Sequence, residues 1–300
     1  MSTGGRPASE PDRGDHRMEP DLVDHRMNAG QQSADHQSAA SAAARAMFTG
    51  RTSNGPAVTR VAVWSGPRNI STAMMRSWEN RDDTDVVDEP FYAAYLDRTG
   101  LDHPARGEII ASQPARFAQV VKRLQTMPGG RADGGGVAYA KQMSHHMLAE
   151  DDLSWTHDFA NVLLIRDPIE VVASYVKSRE SCEPDDIGIP QQAQLWAQWQ
   201  DAGLDVPVIE AADFLRDPEA HLRWVCDWLG IEFSAAMLSW PAGPRASDGV
   251  WAPHWYDAVN ASTGFAPWTP RGVDLNDHDA AVAEQCRAVY EMLWEYRVRL

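Results

Sequence analysis

Short apolar segments alternate with longer amphipathic segments along the chain from residue 58 onward. The apolar segments have the length of buried strands and cover residues 61–64, 85–87, 137–143, 162–165 and 206–210. The amphipathic segments predict helices over residues 71–79, 117–127, 168–178, 191–202, 218–229 and 279–296. This alternation predicts an α/β fold with a doubly wound, mainly parallel sheet flanked by helices. Ligands of such sheets bind at the carboxyl ends of the strands.

The N-terminal segment differs from the rest of the chain in composition. It is rich in Ser, Ala, Asp, Gly and Gln and contains few large apolar side chains. Such a segment cannot bury enough surface to offset the conformational entropy that ordering would cost. We therefore expect a disordered low-complexity tail over residues 1–57 and a single domain over residues 58–300. Methionines at positions 18, 27 and 47 leave open that translation starts downstream.

The charge balance narrows the classes of partner. The 300 residues include 43 acidic and 27 basic side chains, which gives a formal net charge of -16. This excess of negative charge disfavours nonspecific binding to nucleic acid or to an anionic membrane. If the ligand is an anion, its positive partners must therefore be placed locally.

The three cysteines, Cys182, Cys226 and Cys286, are too far apart for a metal knuckle or a disulfide framework. No apolar run reaches the length of a membrane span, and the N-terminus lacks the apolar core of a signal peptide. These features predict a cytoplasmic protein without membrane insertion. The oligomeric state is left open.

The first strand is followed by a loop with the composition of an anion-binding site. The loop and helix start read Ser65-Gly66-Pro67-Arg68-Asn69-Ile70-Ser71-Thr72. Backbone N–H groups at a helix N-terminus attract phosphate, and Arg68 and two hydroxyls add further donors. The Gly-Lys-Ser/Thr of a Walker A motif is missing from this loop. An ordinary tight turn is the alternative interpretation.

A second strand-to-helix junction carries a similar set of residues. Arg166 follows the clearest buried strand, Asp167 and Pro168 suit the start of a helix, and Ser174 lies about two turns further on. Arg166 and Ser174 are therefore expected to face the same crevice and to bind a second phosphate. The alternative is that Arg166 pairs with Glu170.

Together the two junctions resemble those of the sulfotransferases that use 3′-phosphoadenosine 5′-phosphosulfate (PAPS), a family with a P-loop-like nucleotide-binding fold. Residues 67–72 are similar to that family's loop for the 5′-phosphosulfate. Arg166, followed eight residues later by Ser174, is similar to its clamp for the 3′-phosphate. A third similar segment covers residues 213–218 and precedes a helix that ends in Leu-Gly. The resemblance spans about residues 58–231 and is closest to bacterial and plant members.

The resemblance implies a sulfuryl transfer from PAPS to a hydroxyl or amine of a small-molecule acceptor. Transfer would be direct and in line, leaving PAP, with no metal and no covalent enzyme intermediate. The donor site that the resemblance implies consists of Arg68, Asn69, Ile70, Ser71, Thr72, Arg166 and Ser174. The sequence departs from the family pattern at two places. Ile70 stands where the common loop has glycine. Arg271-Gly272 is only a weak match to the family's late Arg-Lys-Gly segment.

Three residues are candidates for the chemistry of the transfer. Arg68 would neutralise the charge that develops on the departing phosphate. Glu89, at the end of the second strand, is a candidate base for the acceptor proton, and His145 is the other. The family histidine lies two residues after a strand lysine, whereas the position two residues after Lys141 is Met143. Each candidate base also has a noncatalytic interpretation. Glu89 would then be a surface acid, and His145 would belong to the polar start of a helix.

The tryptophans divide into two predicted groups. Helical spacing predicts that Trp196, Trp199, Trp224 and Trp228 pack in the core. An acceptor pocket is the predicted location of Trp240, Trp251, Trp255 and Trp268.

Two other functions remain possible from the sequence alone. A kinase-like nucleotide phosphotransferase would require Mg²⁺-dependent ATP binding without the usual motif. A noncatalytic protein of the same fold would bind PAP or another nucleotide but show no turnover.

Overall fold

A computed structural model of the chain describes residues 49–50, 57–177, 179, 181–270 and 272–300. Most of the predicted tail, residues 1–57, lies outside these ranges. The strands are β1 (Thr49–Gly50), β2 (Val58–Ser65), β3 (Thr84–Asp88), β4 (Gly136–Met143), β5 (Ala160–Ile165) and β6 (Val208–Glu210). Five of them form a parallel sheet in the order β3-β4-β2-β5-β6, and β1 pairs antiparallel with β2. The predicted parallel α/β sheet is thereby confirmed.

The helices occupy the segments between these strands and the C-terminal part of the chain. They are α1 (Ser71–Glu79), α2 (Tyr92–Thr99), α3 (Arg106–Ser112), α4 (Phe117–Gln125), α5 (Pro168–Tyr175), α6 (Ile189–Asp201), α7 (Ala211–Arg216), α8 (Pro218–Leu229), α9 (Ala252–Trp255), α10 (Asp257–Asn260) and α11 (Asp277–Glu295). Asp167 caps α5 by accepting a hydrogen bond from the Ile169 N–H, as the sequence predicted. In the part of the chain that the structure describes, no helix combines the length and apolarity that a membrane span requires.

Side chains alternate between the two faces of the sheet, so that helices cover both faces. Along β2, Trp64 packs into a core with residues of α4, α6 and α11. Its neighbour Val63 packs into a second core with residues of α1 and α8. This period of two is the geometry of an extended strand, and it explains why β2 is apolar along most of its length. Trp199 and Trp228 lie in these two cores, as their helical spacing predicted.

Helices α2 and α3 are not indicated by the sequence pattern, because both are short. They pack against each other and against a distant segment, which contributes Trp251 and Tyr256 to the same apolar cluster. Tertiary contacts therefore stabilise helices of this length, which are marginal in isolation.

Buried polar contacts hold the segment over residues 245–262 against the sheet. The guanidinium of Arg76 forms an ion pair with Asp248 at 2.6 Å and donates a hydrogen bond to Asn260 Oδ1 at 3.3 Å. The hydroxyl of Tyr256 donates to Asp88 Oδ2 at 2.7 Å. The segment is therefore attached to α1 and to the end of β3 at three positions.

Candidate active site

A crevice of about 370 Å³ opens where β2, β3, β4 and β5 end. Its walls come from the loop after β2, from Glu89 after β3, from the end of β4, from α5, and from the segment that contains α9 and α10. The location at the carboxyl ends of parallel strands is the one that the sheet topology predicts for a ligand.

The loop between β2 and α1 holds backbone donors at one side of this crevice. Helix α1 begins after Ile70, and no side chain caps its N-terminus. Asn69 braces the loop, because its Oδ1 accepts from the Ile70 N–H at 2.7 Å and its Nδ2 donates to the Leu164 carbonyl at 3.2 Å. Ser71 and Thr72 line the crevice in the first turn. An uncapped helix N-terminus with neighbouring hydroxyls suits an anion.

Close packing determines the path of the chain into this loop. A Cβ atom at Gly66 would lie 2.1 Å from the Ile187 carbonyl oxygen, so that only glycine fits there. Arg68 adopts a left-handed backbone conformation, with φ at 57°. A residue other than glycine pays a conformational cost in that region, and such residues are frequent at ligand sites.

The two predicted anion-binding junctions meet in this crevice. Arg68 Nε donates to Ser174 Oγ at 3.0 Å, and Arg166 Nη1 donates to the Arg68 carbonyl at 2.6 Å. Burial and the neighbouring charge of Arg166 lower the pKa of Arg68. Two guanidinium groups that repel each other in a crevice form a favourable place for an anion.

Arg166 also has the partner that the alternative interpretation named. It forms an ion pair with Glu170 at 2.7 Å, one helical turn further along the chain. The same arginine still lines the crevice. The pairing with Glu170 and the position at the crevice therefore coexist, and Glu170 orients the guanidinium.

A buried network of charges lies at the ends of β3 and β4. Lys141 is 1% exposed, and its Nζ donates to Asp88 at 2.9 Å, to Glu89 at 2.6 Å and to the Tyr256 hydroxyl at 2.7 Å. Burial by itself would lower the pKa of Lys141, but the charges of Asp88 and Glu89 outweigh it and raise that pKa well above the ordinary value. Lys141 is therefore charged at neutral pH, and it neutralises one of two buried carboxylates.

Three members of this network, Glu89, Lys141 and Tyr256, line the crevice. Burial raises the pKa of the Glu89 carboxyl, although the charge of Lys141 acts in the opposite direction. Its backbone has a φ of 40°, and its carbonyl accepts from the Tyr92 N–H at 3.0 Å. A carboxylate with a raised pKa, held on a constrained backbone at a cavity wall, has the properties of a general base.

The two adjacent histidines take different positions. His145 lines the crevice, whereas His146 is buried between the rings of Tyr92 and Tyr95 at centroid distances of 4.6 and 4.9 Å. Burial and the charges of His103 and Lys141 lower the pKa of His145 to about 3. His145 is therefore neutral at physiological pH, so it can accept a proton only weakly.

The predicted tryptophan pocket is largely wrong. Trp255 lines the crevice, but Trp240 and Trp251 are buried behind it and are not among its lining residues. Trp268 donates to Glu170 at 3.3 Å and packs beneath the guanidinium of Arg216. Most of these indoles pack against neighbouring side chains outside the crevice lining, because a large aromatic side chain buries much apolar area wherever a contact is available.

Several residues of the crevice are not identified by the sequence analysis as part of the site. They include Tyr92, His103 and Arg179. A lysine inside the mostly apolar strand β4 was a signal for buried acidic partners, although nothing in the local pattern indicated which acids they are. Arg271, the weak match to the family's late segment, lies outside the described residues.

The three cysteines are buried and free. Within the described ranges, no group of three or more His, Cys, Asp and Glu side chains is arranged to hold a metal ion.

Comparison with curated proteins finds two relatives from Arabidopsis thaliana. The chain is 34% identical to branched-chain-amino-acid aminotransferase-like protein 2 over 235 residues, which cover 78% of this chain and 41% of that protein. It is 35% identical to branched-chain-amino-acid aminotransferase-like protein 1 over 232 residues, which cover 77% of this chain and 40% of that protein. The chain therefore spans about two fifths of the length of the curated relatives it matches.

Solved structures with similarity to this chain include two sulfotransferases. The sulfotransferase domain from the curacin biosynthetic pathway aligns with a TM-score of 0.44 and 13% identity, covering 78% of this chain and 98% of that domain. Mouse sulfotransferase SULT7A1 complexed with PAP aligns with a TM-score of 0.43 and 12% identity, covering 87% of this chain and 89% of that one.

The family comparison is the most specific of the three. The family model described as "Sulfotransferase domain" matches residues 59–288, which include the parallel sheet except for the first residue of β2, and the whole crevice. This chain belongs to the sulfotransferase domain family.

Proposed function

We propose that this chain transfers a sulfuryl group directly from PAPS to a hydroxyl or amine of a small-molecule acceptor. The observation that carries the proposal is the convergence of Arg68, Arg166 and Ser174 with the uncapped start of α1 in one crevice, which Glu89 also lines. The buried free cysteines fit a reducing compartment, and we place the enzyme in the cytoplasm.

The donor set fits a nucleotide with two separate anionic groups. Arg68, Ser71, Thr72 and the N–H groups at the start of α1 would hold the 5′-phosphosulfate. Arg166 and Ser174 would hold the 3′-phosphate, with Asn69 and Ile70 shaping the loop between them. PAPS itself supplies an activated sulfuryl group on a good leaving group.

The protein's part in the transfer is to position, to neutralise charge and to move one proton. Arg68 would stabilise the negative charge that grows at the 5′-phosphate as the bond to sulfur breaks. Glu89 would accept the proton from the acceptor, and Lys141 would keep its carboxylate in place. His145 is the weaker candidate for the base because its pKa is lowered to about 3.

PAP should bind with a strong preference over AMP, and Arg166→Ala should weaken PAP binding by roughly 30-fold or more. The reason is that the mutation removes the cation assigned to the 3′-phosphate, the group that distinguishes PAP from AMP. Titration calorimetry of both nucleotides with the parent protein and the variant measures the effect. Arg223→Ala, which removes an exposed arginine on α8, is the matched control and should leave both affinities unchanged.

Equal affinity of the parent protein for PAP and AMP would contradict the assignment of Arg166 and Ser174 to the 3′-phosphate. ATP binding that requires Mg²⁺ would favour a kinase-like phosphotransferase. We expect EDTA to leave PAP binding unchanged. Turnover is tested separately, with labelled PAPS, pools of small acceptors and mass detection of an added sulfuryl group. PAP binding without turnover on any pool would favour a noncatalytic nucleotide-binding protein.

A further inference from the structure

A second cavity, of about 420 Å³, lies beside the crevice. The residues that line both cavities are Tyr92, His103, His145, Tyr175, Arg179 and Asp186. Because the two cavities share this wall, its side chains contact a molecule bound in the crevice that Glu89 lines. The side chains of the shared wall therefore bear on the choice of acceptor.

Arg179 is the shared cation that the donor site does not use. Its guanidinium packs 5.1 Å from the centroid of the Trp255 ring, and Nη2 contacts Nε2 of His103. No acidic side chain of the described ranges forms an ion pair with it, and its Nε is buried without a hydrogen-bond partner there. An arginine fixed by stacking, with unused donors on its planar head, is suited to bind a carboxylate through two hydrogen bonds.

The described ionisable groups around this arginine do not form an ion pair with it in place of a ligand. Burial and the charge of Arg179 lower the pKa of His103 to about 4, so that His103 is neutral at physiological pH. Asp186 accepts a hydrogen bond from the Glu183 N–H at 2.9 Å and so caps a turn. Asp102 lies on the exposed rim of the second cavity. Among the described residues, none of these acidic side chains forms an ion pair with Arg179, and we assign its positive charge to a bound molecule.

Tyr92 connects this arginine to the proposed base. Its N–H donates to the Glu89 carbonyl at 3.0 Å, and its hydroxyl lies 2.9 Å from Nδ1 of His103, the ring that Arg179 contacts. Burial and the charge of Glu89 raise the pKa of Tyr92, while the charge of Arg179 acts to lower it. Glu89 and Arg179 line the same crevice as this tyrosine, so that one bound molecule has both groups in its surroundings.

Aromatic side chains form part of the wall of the crevice that Glu89 and Arg179 also line. Tyr92, Tyr175 and Trp255 line the space, and the neutral rings of His103 and His145 complete it. An aromatic ring packs well against such surfaces. The arrangement therefore combines a proton acceptor, a stacking space and a fixed cation.

We propose, on the basis of the sulfotransferase function above, that the acceptor is a small aromatic hydroxy acid whose carboxylate binds Arg179. Its hydroxyl faces Glu89. The acceptor oxygen forms a bond to the sulfur of the sulfuryl group as the bond from that sulfur to the 5′-phosphate oxygen breaks. The electron pair of the broken bond leaves with the phosphate of PAP, and the proton of the hydroxyl passes to Glu89.

The test compares 3-(4-hydroxyphenyl)propanoate with its neutral amide, 3-(4-hydroxyphenyl)propanamide, as ligands of the PAP-saturated protein. These probes have nearly the same shape and differ in charge. We expect the acid to bind at least about tenfold more tightly than the amide, since a charge-assisted pair adds that much affinity. Arg179→Gln should abolish this preference, and Arg179→Lys should restore part of it. Arg223→Gln on α8 is the control and should keep it.

Several outcomes would overturn the assignment. Equal binding of acid and amide by the parent protein would do so, and so would failure of the acid to bind. A loss of PAP affinity in Arg179→Gln as large as that in Arg166→Ala would place Arg179 in the donor site instead. Thermal unfolding of each variant separates a local effect from misfolding. The preference for PAP over AMP tests the donor site on its own, so that the proposed function can stand when the acceptor proposal fails.

Discussion

Replacement of Glu89 by glutamine should lower the turnover of sulfuryl transfer by about 10²–10⁴-fold, the usual contribution of a general base. PAP affinity should remain almost unchanged, because Glu89 lies in the charge network with Lys141 and not in the donor loop. Glutamine keeps the shape of the side chain but cannot accept the proton. Rates with one verified acceptor, together with PAP titrations, measure both effects.

The matched variant is His145→Ala, which should cost much less turnover. His145 lines the same crevice, but its lowered pKa makes it a poor proton acceptor. A loss of turnover in His145→Ala that exceeds the loss in Glu89→Gln would reverse the assignment. Near-parent rates in both variants would instead indicate an acceptor amine that is already deprotonated.

The pH dependence of the same reaction follows from the raised pKa of Glu89. The base must be ionised to accept a proton, so the rate should fall as the pH decreases through that raised pKa. The acidic limb of the profile should therefore lie above the ordinary range of a glutamate carboxyl. In Glu89→Gln this limb should disappear.

Lys141→Met should lower the free energy of unfolding by about 3–5 kcal/mol, the typical cost of removing one partner from a buried ion pair. The variant would leave Asp88 and Glu89, which are 3% and 8% exposed, without their shared cation. Urea unfolding followed by circular dichroism measures the change. Lys122→Met on the exposed surface of α4 is the control and should change stability by less than about 0.5 kcal/mol.

An unchanged stability of Lys141→Met would mean that both carboxyls accept protons without loss, and the network would then have no structural role. A Lys141→Met, Asp88→Asn, Glu89→Gln triple variant distinguishes the cost of unpaired charge from the cost of lost packing. If unpaired charge is the cause, the triple variant should recover much of the lost stability.

The sheet and the two strand-to-helix junctions that carry Arg68 and Arg166 were predictable from the sequence because they depend on local patterns. Apolar runs of strand length, the Asp167-Pro168 helix start and the loop before α1 are each encoded within about ten residues. The ion pair between Arg166 and Glu170 was predictable for the same reason, because the two residues are one helical turn apart. Such features require only the periodicities of strands and helices.

The contacts that complete the site were not predictable, because they join distant parts of the chain. The Tyr256 hydroxyl and Asp88 are 168 positions apart, and Lys141 and Tyr256 are 115 apart. Arg179 and His103, which meet at the second cavity, are separated by 76. The tryptophans failed as markers of the pocket for the same reason, since an indole packs wherever the fold provides an apolar contact.

The attachment of residues 245–262 through Arg76 and Tyr256 has a consequence for how acceptor preference can diverge. Trp255, Ala258 and Val259 line the crevice between the anchored positions. Side chains there can change without loss of the buried polar contacts that fix the backbone on either side. A combinatorial library over these three positions should therefore yield folded proteins with altered acceptor ranges, while Glu89 and the loop between β2 and α1 keep their positions.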